Sequence, residues 1–251
     1  MSLKNIKDNF KEIGKKINTK GKSTRTVEEI RAEKENELKE KIRKACEYKA
    51  NQETNKMFAN MPKDTRDLTL ADIKGLWNPD EMYQVNKAID SAYNYKTTNK
   101  GLYMYSKQTG TGKTTLMASL ARGIRNHYKV SIFFASEDYI LDKVKESWRD
   151  DSEFTEDEFI KYIAKHDAIF IDELGQSTNS WSTKILKKLL DEIINNGSKL
   201  YITSNYGLND LTNRLKKAQQ KESNSQLVNQ FIDRIRSLTE LLKFGNKSYR
   251  W

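Results

Sequence analysis

The sequence predicts an α/β protein in which helices flank a parallel sheet, and three features of the chain support this. The first is a set of short apolar segments suited to buried strands, at 101–106, 130–135, 168–171 and 200–203. The second is a set of amphipathic segments between them, with the clearest helical spacing at 114–127 and 182–195. The third is a glycine-rich loop that joins the first strand to the first of these helices. Strands that alternate with helices favour a parallel sheet covered on both faces.

The glycine-rich loop, residues 107–114, reads KQTGTGKT. Gly110 and Gly112 let the backbone curl so that its N–H groups face inward, which suits a polyphosphate. Lys113 would reach the β- and γ-phosphates, and Thr114 would hold Mg²⁺. The positive N-terminus of the following helix points at the same place. The residues expected to bind ATP in this loop and directly after it are Gly110, Thr111, Gly112, Lys113, Thr114 and Thr115.

The start of the loop departs from the usual pattern G-x-x-x-x-G-K-[ST], because Lys107 stands where that pattern has its first glycine. This lysine is expected either to reshape the loop slightly or to be offset by the neighbouring Ser106. Two aromatic residues upstream of the loop, Trp77 and Tyr83, are expected to pack around the adenine or in the core.

An acidic pair ends the third apolar strand, in the segment DAIFIDE at 167–173. At the edge of the sheet that faces the phosphates, Asp172 would bind Mg²⁺ and Glu173 would polarise the attacking water. An ordinary helix-capping turn is the alternative for two adjacent acids. The fourth strand ends at Asn205, whose amide would reach the γ-phosphate or the water. Glu173, Lys113 and Asn205 are therefore candidate catalytic residues.

Residues 1–60 differ in composition from the rest, and we predict a small helical segment there, followed by one ATP-binding domain at 61–251. Between residues 26 and 49, apolar side chains recur at helical spacing among alternating Glu and Lys/Arg. The apolar stripe is too thin to form a core by itself. The segment is therefore either a solvated helical tail or a helix that docks on a partner.

The chain has 251 residues and a formal net charge of +10, which indicates an anionic partner without identifying it. No apolar run approaches the ~18 residues of a membrane span, and the first residues lack the apolar core of a secretory signal. Cys46 is the single cysteine, so no disulfide within the chain is expected. These features predict a cytoplasmic protein with no membrane partner.

A tryptophan among lysines offers a candidate site for single-stranded DNA. An exposed aromatic ring can stack on an unpaired base while neighbouring lysines hold phosphates. The alternative is a packed tryptophan beside a solvated lysine face. The residues concerned are Trp181, Lys184, Lys187 and Lys188.

Taken together, these motifs resemble those of AAA+ ATPases, and the C-terminus narrows the resemblance to the DnaC/DnaI-type replicative helicase loaders and their IstB-like relatives. The resemblance covers residues 65–251, and phage-encoded loaders share the same order of motifs. The segments that carry it are 110–114 (GTGKT), 172–174 (DEL), 203–205 (TSN), 231–236 (FIDRIR) and 244–250 (FGNKSYR). The resemblance implies ATP and Mg²⁺ as ligands and slow ATP hydrolysis without partners. It also implies that the protein binds a replicative DnaB-type hexameric helicase and loads it onto single-stranded DNA in a bacterial or phage-infected cell.

The same resemblance assigns roles to three polar residues. Arg234 resembles the arginine finger that reaches the γ-phosphate of a neighbouring subunit, which implies self-association through the ATP site. Arg250 resembles the second sensor and Asn205 the first.

Three other functions remain open at this point. A transposition helper ATPase of the IstB kind would share nearly all these motifs and differ in its partner. A nucleotide-gated adaptor that scarcely hydrolyses ATP is kept open by Lys107. A DnaA-like initiator is less favoured, because no duplex-reading domain follows the ATPase motifs.

Overall fold

The structure, a computed structural model, describes residues 33–34, 36–37, 40, 60–65, 68–73, 75, 77–220, 225–245 and 247–248. After a short 3₁₀ helix at Lys63–Thr65, the helices with described bounds are α1 (Leu70–Ile73), α2 (Pro79–Tyr93), α3 (Lys113–Tyr128), α4 (Glu137–Glu146), α5 (Glu156–Ala164), α6 (Ser180–Asn196), α7 (Leu208–Ala218) and α8 (Ser225–Leu238). The strands are β1 (Gly101–Tyr105), β2 (Ile132–Ser136), β3 (Ala168–Leu174), β4 (Lys199–Ser204) and β5 (Thr239–Lys243).

The strands form one parallel sheet in the order β2-β3-β4-β1-β5. The predicted fold class and the four predicted strands are confirmed. The fifth strand was not predicted from the sequence. In β5 only Thr239 and Leu242 are buried, because the strand lies at the edge of the sheet and pairs on one side alone. Such a segment lacks the continuous apolar run that identifies a central parallel strand.

Alternate residues of the strands face two separate cores, as the period of two along a strand requires. On β2, Phe133 and Ala135 pack into one core with residues of α4 to α8. Ile132 and Phe134 pack on the opposite face, with residues of α1, α2 and α3. Burial on both faces explains why the strands read as unbroken apolar runs.

Polar caps fix where several of the helices begin. Ser136 accepts the amide N–H of Tyr139 at the start of α4. Thr155 and Glu158 form a reciprocal capping box at the start of α5. Asn179 accepts the amide N–H of Ser182 at the start of α6. Because the sheet is parallel, α4 and the segment before α6 both follow the carboxyl ends of strands, where open sheets bind their ligands.

The chain divides into two units, 1–53 and 54–251, and the five strands with described bounds belong to the second. In the predicted N-terminal helix, the described residues Glu33, Lys34, Asn36, Glu37 and Glu40 are helical. Most of the segment at 1–60 lies outside the described residues, so its boundary and its docking role stay predictions.

Candidate nucleotide-binding site

The phosphate loop lies between β1 and α3, and two of its glycines have left-handed backbone angles. Gly110 has φ 74° and Gly112 has φ 80°, values that L side chains adopt at a cost. Lys113 begins α3 and is only 7% exposed. Its ammonium donates to the carbonyl of Gln108 and to the hydroxyl of Thr111, both at 3.2 Å. The lysine is thus held over the loop, as binding of a polyphosphate requires.

Lys107 does not strain the loop. Among the described residues, only Lys129 and Glu173 have positive φ without being glycine, so the Lys107 position does not demand a glycine. Its exposed side chain places the ammonium 3.6 Å from the carboxylate of Asp210 on α7. Ser106 supports the start of the loop instead, since its hydroxyl accepts the amide N–H of Gln108 at 3.2 Å.

Two segments distant in sequence also hold the loop. The indole N–H of Trp77 donates to the carbonyl of Thr111 at 3.3 Å, and a Cβ added at Gly112 would lie 3.0 Å from the indole ring. The hydroxyl of Ser106 donates to the carbonyl of Gly245, beyond β5, at 2.7 Å. Trp77 is therefore packed in the core against the loop. This confirms the core placement, one of the two that were predicted for it.

The core placement predicted for Tyr83 was wrong, because its side chain is 72% exposed on α2. Its other predicted placement, around the adenine, stays a prediction. Arg250, the predicted second sensor, lies outside the described residues, so its role stays a prediction.

The acidic pair lies beside the phosphate loop. Asp172 is 6% exposed, and its Oδ1 accepts the hydroxyl of Thr114 at 3.0 Å. The same oxygen accepts the hydroxyl of Thr203 on β4. Burial raises the pKa of the Asp172 carboxyl above its ordinary value of 3.8, while the hydrogen bonds from Thr203 and Thr114 favour the charged form. Thr114 and Asp172 are thus in contact, as a shared Mg²⁺ site requires.

Glu173 is exposed and has φ 58°, in the left-handed region. Its amide N–H donates to the hydroxyl of Thr203 at 2.9 Å. Thr203 therefore contacts both members of the acidic pair, a role that was not predicted from the sequence. Its position in the TSN segment could have indicated this role. That segment lies at the end of β4, which lies beside β3 in the sheet.

Asn205 follows β4 and lines a cavity of about 920 Å³ beside the phosphate loop. The lining residues are Lys107, Thr109, Thr178, Asn205, Tyr206, Asp210, Asn213, Arg214, Lys217 and Ala218. The structure therefore brings Asn205 to the same opening as Thr109 of the phosphate loop, where a sensor of the γ-phosphate would act.

Arg234 is placed away from this cavity, on α8, and is not among the residues that line it. Its Nε donates to Oδ1 of Asp191 on α6 at 2.7 Å. Lys187 binds the other oxygen of Asp191 at 2.6 Å. This position leaves the trans role of Arg234 as a prediction.

The candidate DNA site differs from its prediction. Trp181 is half-buried and packs against the core, because it lies on the same face of α6 as Ile185. Lys187 is paired with Asp191, and Lys188 is paired with Glu156 at 2.7 Å and with Asp157. Lys184 is exposed. Of the two alternatives for Trp181, the exposed ring was wrong and the packed tryptophan is confirmed, while binding of single-stranded DNA by these residues stays a prediction.

Trp148 is the exposed aromatic residue of this region, with 57% of its surface accessible. Its ring packs edge-on against Trp181, with the two centroids 5.3 Å apart.

Within the described part of the chain, no helix is long and apolar enough to cross a membrane. No group of three or more His, Cys, Asp or Glu side chains among those residues could hold a metal ion by itself. A Mg²⁺ ion at Thr114 and Asp172 would therefore need phosphate oxygens and water as further ligands, which is the usual manner of Mg²⁺ binding.

The sheet order, the phosphate loop after β1, the acidic pair on β3 and the polar residue after β4 define an AAA+ P-loop fold. More particularly, the chain belongs to the family described as IstB-like ATP binding protein, whose model matches residues 49–251. No match to the chain was found among curated proteins.

Several solved structures share the fold. The crystal structure of DnaI matches with a TM-score of 0.59 and 22% identity, covering 74% of this chain and 95% of that one. A putative primosome component from Streptococcus pyogenes serotype M3 matches with a TM-score of 0.59 and 21% identity, covering 76% and 92%. The DnaC helicase loader matches with a TM-score of 0.56 and 22% identity, covering 73% and 100%.

Proposed function

We propose that this protein is an ATPase that binds a replicative hexameric helicase of the DnaB type and loads it onto single-stranded DNA. The observation that carries the proposal is the joining of Thr114, Asp172 and Glu173 into one cluster at the phosphate loop, on a fold shared with helicase loaders. An adaptor that only bound ATP would not need Glu173 beside the phosphates.

The residues present fit Mg²⁺ and ATP. Gly110 and Gly112 have the left-handed angles of a phosphate-binding loop, and Lys113 lies over it. Thr114 and Asp172 would hold Mg²⁺, which neutralises charge on the phosphate oxygens when bound. Lys107 does not strain this arrangement, since its exposed side chain pairs with Asp210 on α7.

The hydrolytic step depends on Glu173. Its carboxylate would accept a proton from the attacking water, while Lys113 stabilises charge on the γ-phosphate. Asn205 would orient the water or the γ-phosphate from the opposite side of the opening. Arg234 of a neighbouring subunit would supply further positive charge, so that turnover depends on self-association.

The test is co-elution of the full chain with the replicative helicase hexamer from the same host, in the presence of ATP. Glu173→Gln should retain ATP and hold the helicase longer than the wild type does. Lys113→Ala should bind neither ATP nor the helicase. Deletion of residues 1–60 should abolish binding to the helicase while the ATP site persists. Failure of both the wild type and Glu173→Gln to bind the helicase would contradict the loader function.

A second candidate is favoured by the family match itself, whose description is IstB-like. A transposition helper would bind a transposase in place of the helicase. The same co-elution with the host's transposase in place of the helicase separates the two functions, because both predict ATP hydrolysis and only the partner differs.

A further inference from the structure

Glu137 is a fully buried carboxylate that the proposed hydrolysis does not use. It is the first residue of α4 and has 0% exposure. Its Oε2 accepts the amide N–H of Gly175 at 2.5 Å, and its Oε1 accepts the amide N–H of Ser177 at 2.8 Å. Both oxygens are therefore engaged by backbone donors of one short segment.

That segment follows Glu173 directly and leads to α6. Gly175 has φ 98°, and a Cβ there would lie 2.8 Å from Leu211 Cδ1. The carbonyl of Leu174 accepts the hydroxyl of Ser204 at 2.6 Å. Side chains from β4 and α4 thus hold the backbone on either side of a turn, in which both Glu173 and Gly175 are left-handed.

A carboxylate suits this place because two backbone amide N–H groups, the buried one of Gly175 and the partly buried one of Ser177, point at one side chain. One of the two would lose its hydrogen bond if the side chain offered one acceptor only, and an unpaired buried donor destabilises the segment that carries it. Glutamine has one acceptor oxygen, and its NH₂ would face the second amide donor to donor. The contact therefore specifies a glutamate.

The backbone direction at Glu173 is set from two points. Its own amide is bound by Thr203 at 2.9 Å, and the amide two residues later is bound by Glu137. Ser136, which precedes Glu137, pairs in register with Asp172. Glu137 thus joins the ends of β2 and β3 at the point where the exposed Glu173 side chain leaves the sheet.

We propose that Glu137 is a positioning residue for hydrolysis, which fixes the Glu173 carboxylate by binding the amides of Gly175 and Ser177. The proposal rests on the proposed ATPase function of Glu173. Glu137 is fully buried and both of its oxygens accept backbone amides of the turn, so its effect passes through that backbone.

The test compares Glu137→Gln with Glu158→Gln in the full chain. Glu158 is a matched control, since it is a glutamate in the first turn of α5 whose role is to cap its own helix. We expect Glu137→Gln to lower kcat for ATP hydrolysis ten- to a hundredfold, on the order of the effect of a misplaced catalytic group. The dissociation constant for Mg·ATPγS, measured by calorimetry, should change by less than about threefold, because the phosphate loop is unaltered. Glu158→Gln should leave both quantities unchanged.

Two further measurements separate positioning from a general loss of stability. In a Glu173→Gln background, Glu137→Gln should cause no additional loss of kcat, because residues that act as a unit are not additive. Hydrogen exchange of the Gly175 and Ser177 amides should be faster in Glu137→Gln than in the wild type. An unchanged kcat in Glu137→Gln, or a full additional loss in the double variant, would overturn the proposal.

Failure of the proposed function gives a different result. If the wild type binds ATP without hydrolysing it, the ATPase function fails and the role of Glu137 in hydrolysis fails with it. Amide exchange would still report whether Glu137 holds the turn. If the wild type hydrolyses ATP and Glu137→Gln does so equally well, only the positioning role is lost.

Discussion

The hydroxyl of Thr203 accepts the amide N–H of Glu173 at 2.9 Å and donates its own proton to the carboxylate of Asp172. One small side chain on β4 therefore contacts both acids near the carboxyl end of β3. Valine has nearly the same shape but neither donates nor accepts, which makes the contact testable by a single substitution.

Thr203→Val should lower kcat for ATP hydrolysis at least tenfold and reduce the free energy of unfolding by about 1–3 kcal/mol, because the substitution leaves buried polar groups unpaired. Steady-state hydrolysis and urea unfolding measure the two effects. Thr203→Ser is the control, since it keeps the hydroxyl and should stay within about threefold of the wild-type kcat. A wild-type kcat in Thr203→Val would show that the hydroxyl does not matter, and a loss in Thr203→Ser as large as that in Thr203→Val would show that the hydroxyl alone does not account for the effect.

Gly112→Ala should abolish ATP binding, because the new Cβ would lie 3.0 Å from the Trp77 ring at a residue with φ 80°. Gly197→Ala is a matched control at the end of α6. Gly197 has φ 69° and nothing within 4 Å of an added Cβ, so its substitution introduces backbone strain alone. Calorimetry with Mg·ATPγS should show near-normal affinity for Gly197→Ala, with about 1 kcal/mol lost from the free energy of unfolding. Loss of ATP binding in both variants would contradict a specific role for the Gly112–Trp77 contact.

The local motifs were predictable from the sequence because their function depends on neighbours in the chain. Gly110, Gly112 and Lys113 act within one loop, and the apolar run before Asp172 marks a central strand. Thr203 and Glu137 were not predictable in this way. Their partners are 30 and 38 residues away in the chain, and only the order of strands in the sheet brings them together.

The packing of Trp181, one of its two predicted alternatives, has a physical cause that the sequence did contain. Trp181, Ile185 and Leu189 are spaced four residues apart, so they share one face of a helix. Ile185 and Leu189 are buried, and the tryptophan follows them into the core. The pairing of Lys188 with acids of α5 was not visible in the sequence, because it joins separate helices.

Arg234→Ala should reduce ATP turnover at least tenfold while the protein stays folded. The guanidinium is half-exposed and paired with Asp191, and such pairs contribute about 1 kcal/mol or less to stability. Arg236→Ala is the matched control, since Arg236 is exposed on the same helix with its guanidinium 3.9 Å from Asp233. It should retain wild-type turnover in a steady-state assay.

A mixing experiment tests whether Arg234 acts in trans. Lys113→Ala lacks a working ATP site but carries Arg234, and Arg234→Ala has the reverse defect. If the arginine acts across a subunit interface, an equal mixture should regain about a quarter of the wild-type activity, since about a quarter of random interfaces combine both intact groups. No recovery in the mixture would place the function of Arg234 within its own subunit.

The buried carboxylate of Glu137 should give stability a distinctive pH dependence. Burial raises the pKa of Glu137 above its ordinary value of 4.5, with a further contribution from Asp138 and opposition from the amides of Gly175 and Ser177. The folded state then binds a proton more tightly than the unfolded state does. The stabilisation from this group is therefore full below pH 4.5 and is lost as pH rises through the folded-state pKa.

The measurement is the free energy of unfolding in urea, for the wild type and Glu137→Gln, from about pH 3 to about pH 7.5. The wild-type value minus the variant value should decrease as pH rises above 4.5. Glu158→Gln should show the opposite slope, because backbone and side-chain hydrogen bonds from Thr155 lower the pKa of Glu158. That group stabilises the fold above pH 4.5, and its contribution is lost as pH falls through the folded-state pKa. If the difference in free energy of unfolding between the wild type and Glu137→Gln increased with pH, the hydrogen bonds from Gly175 and Ser177 would lower the pKa of Glu137 by more than burial raises it.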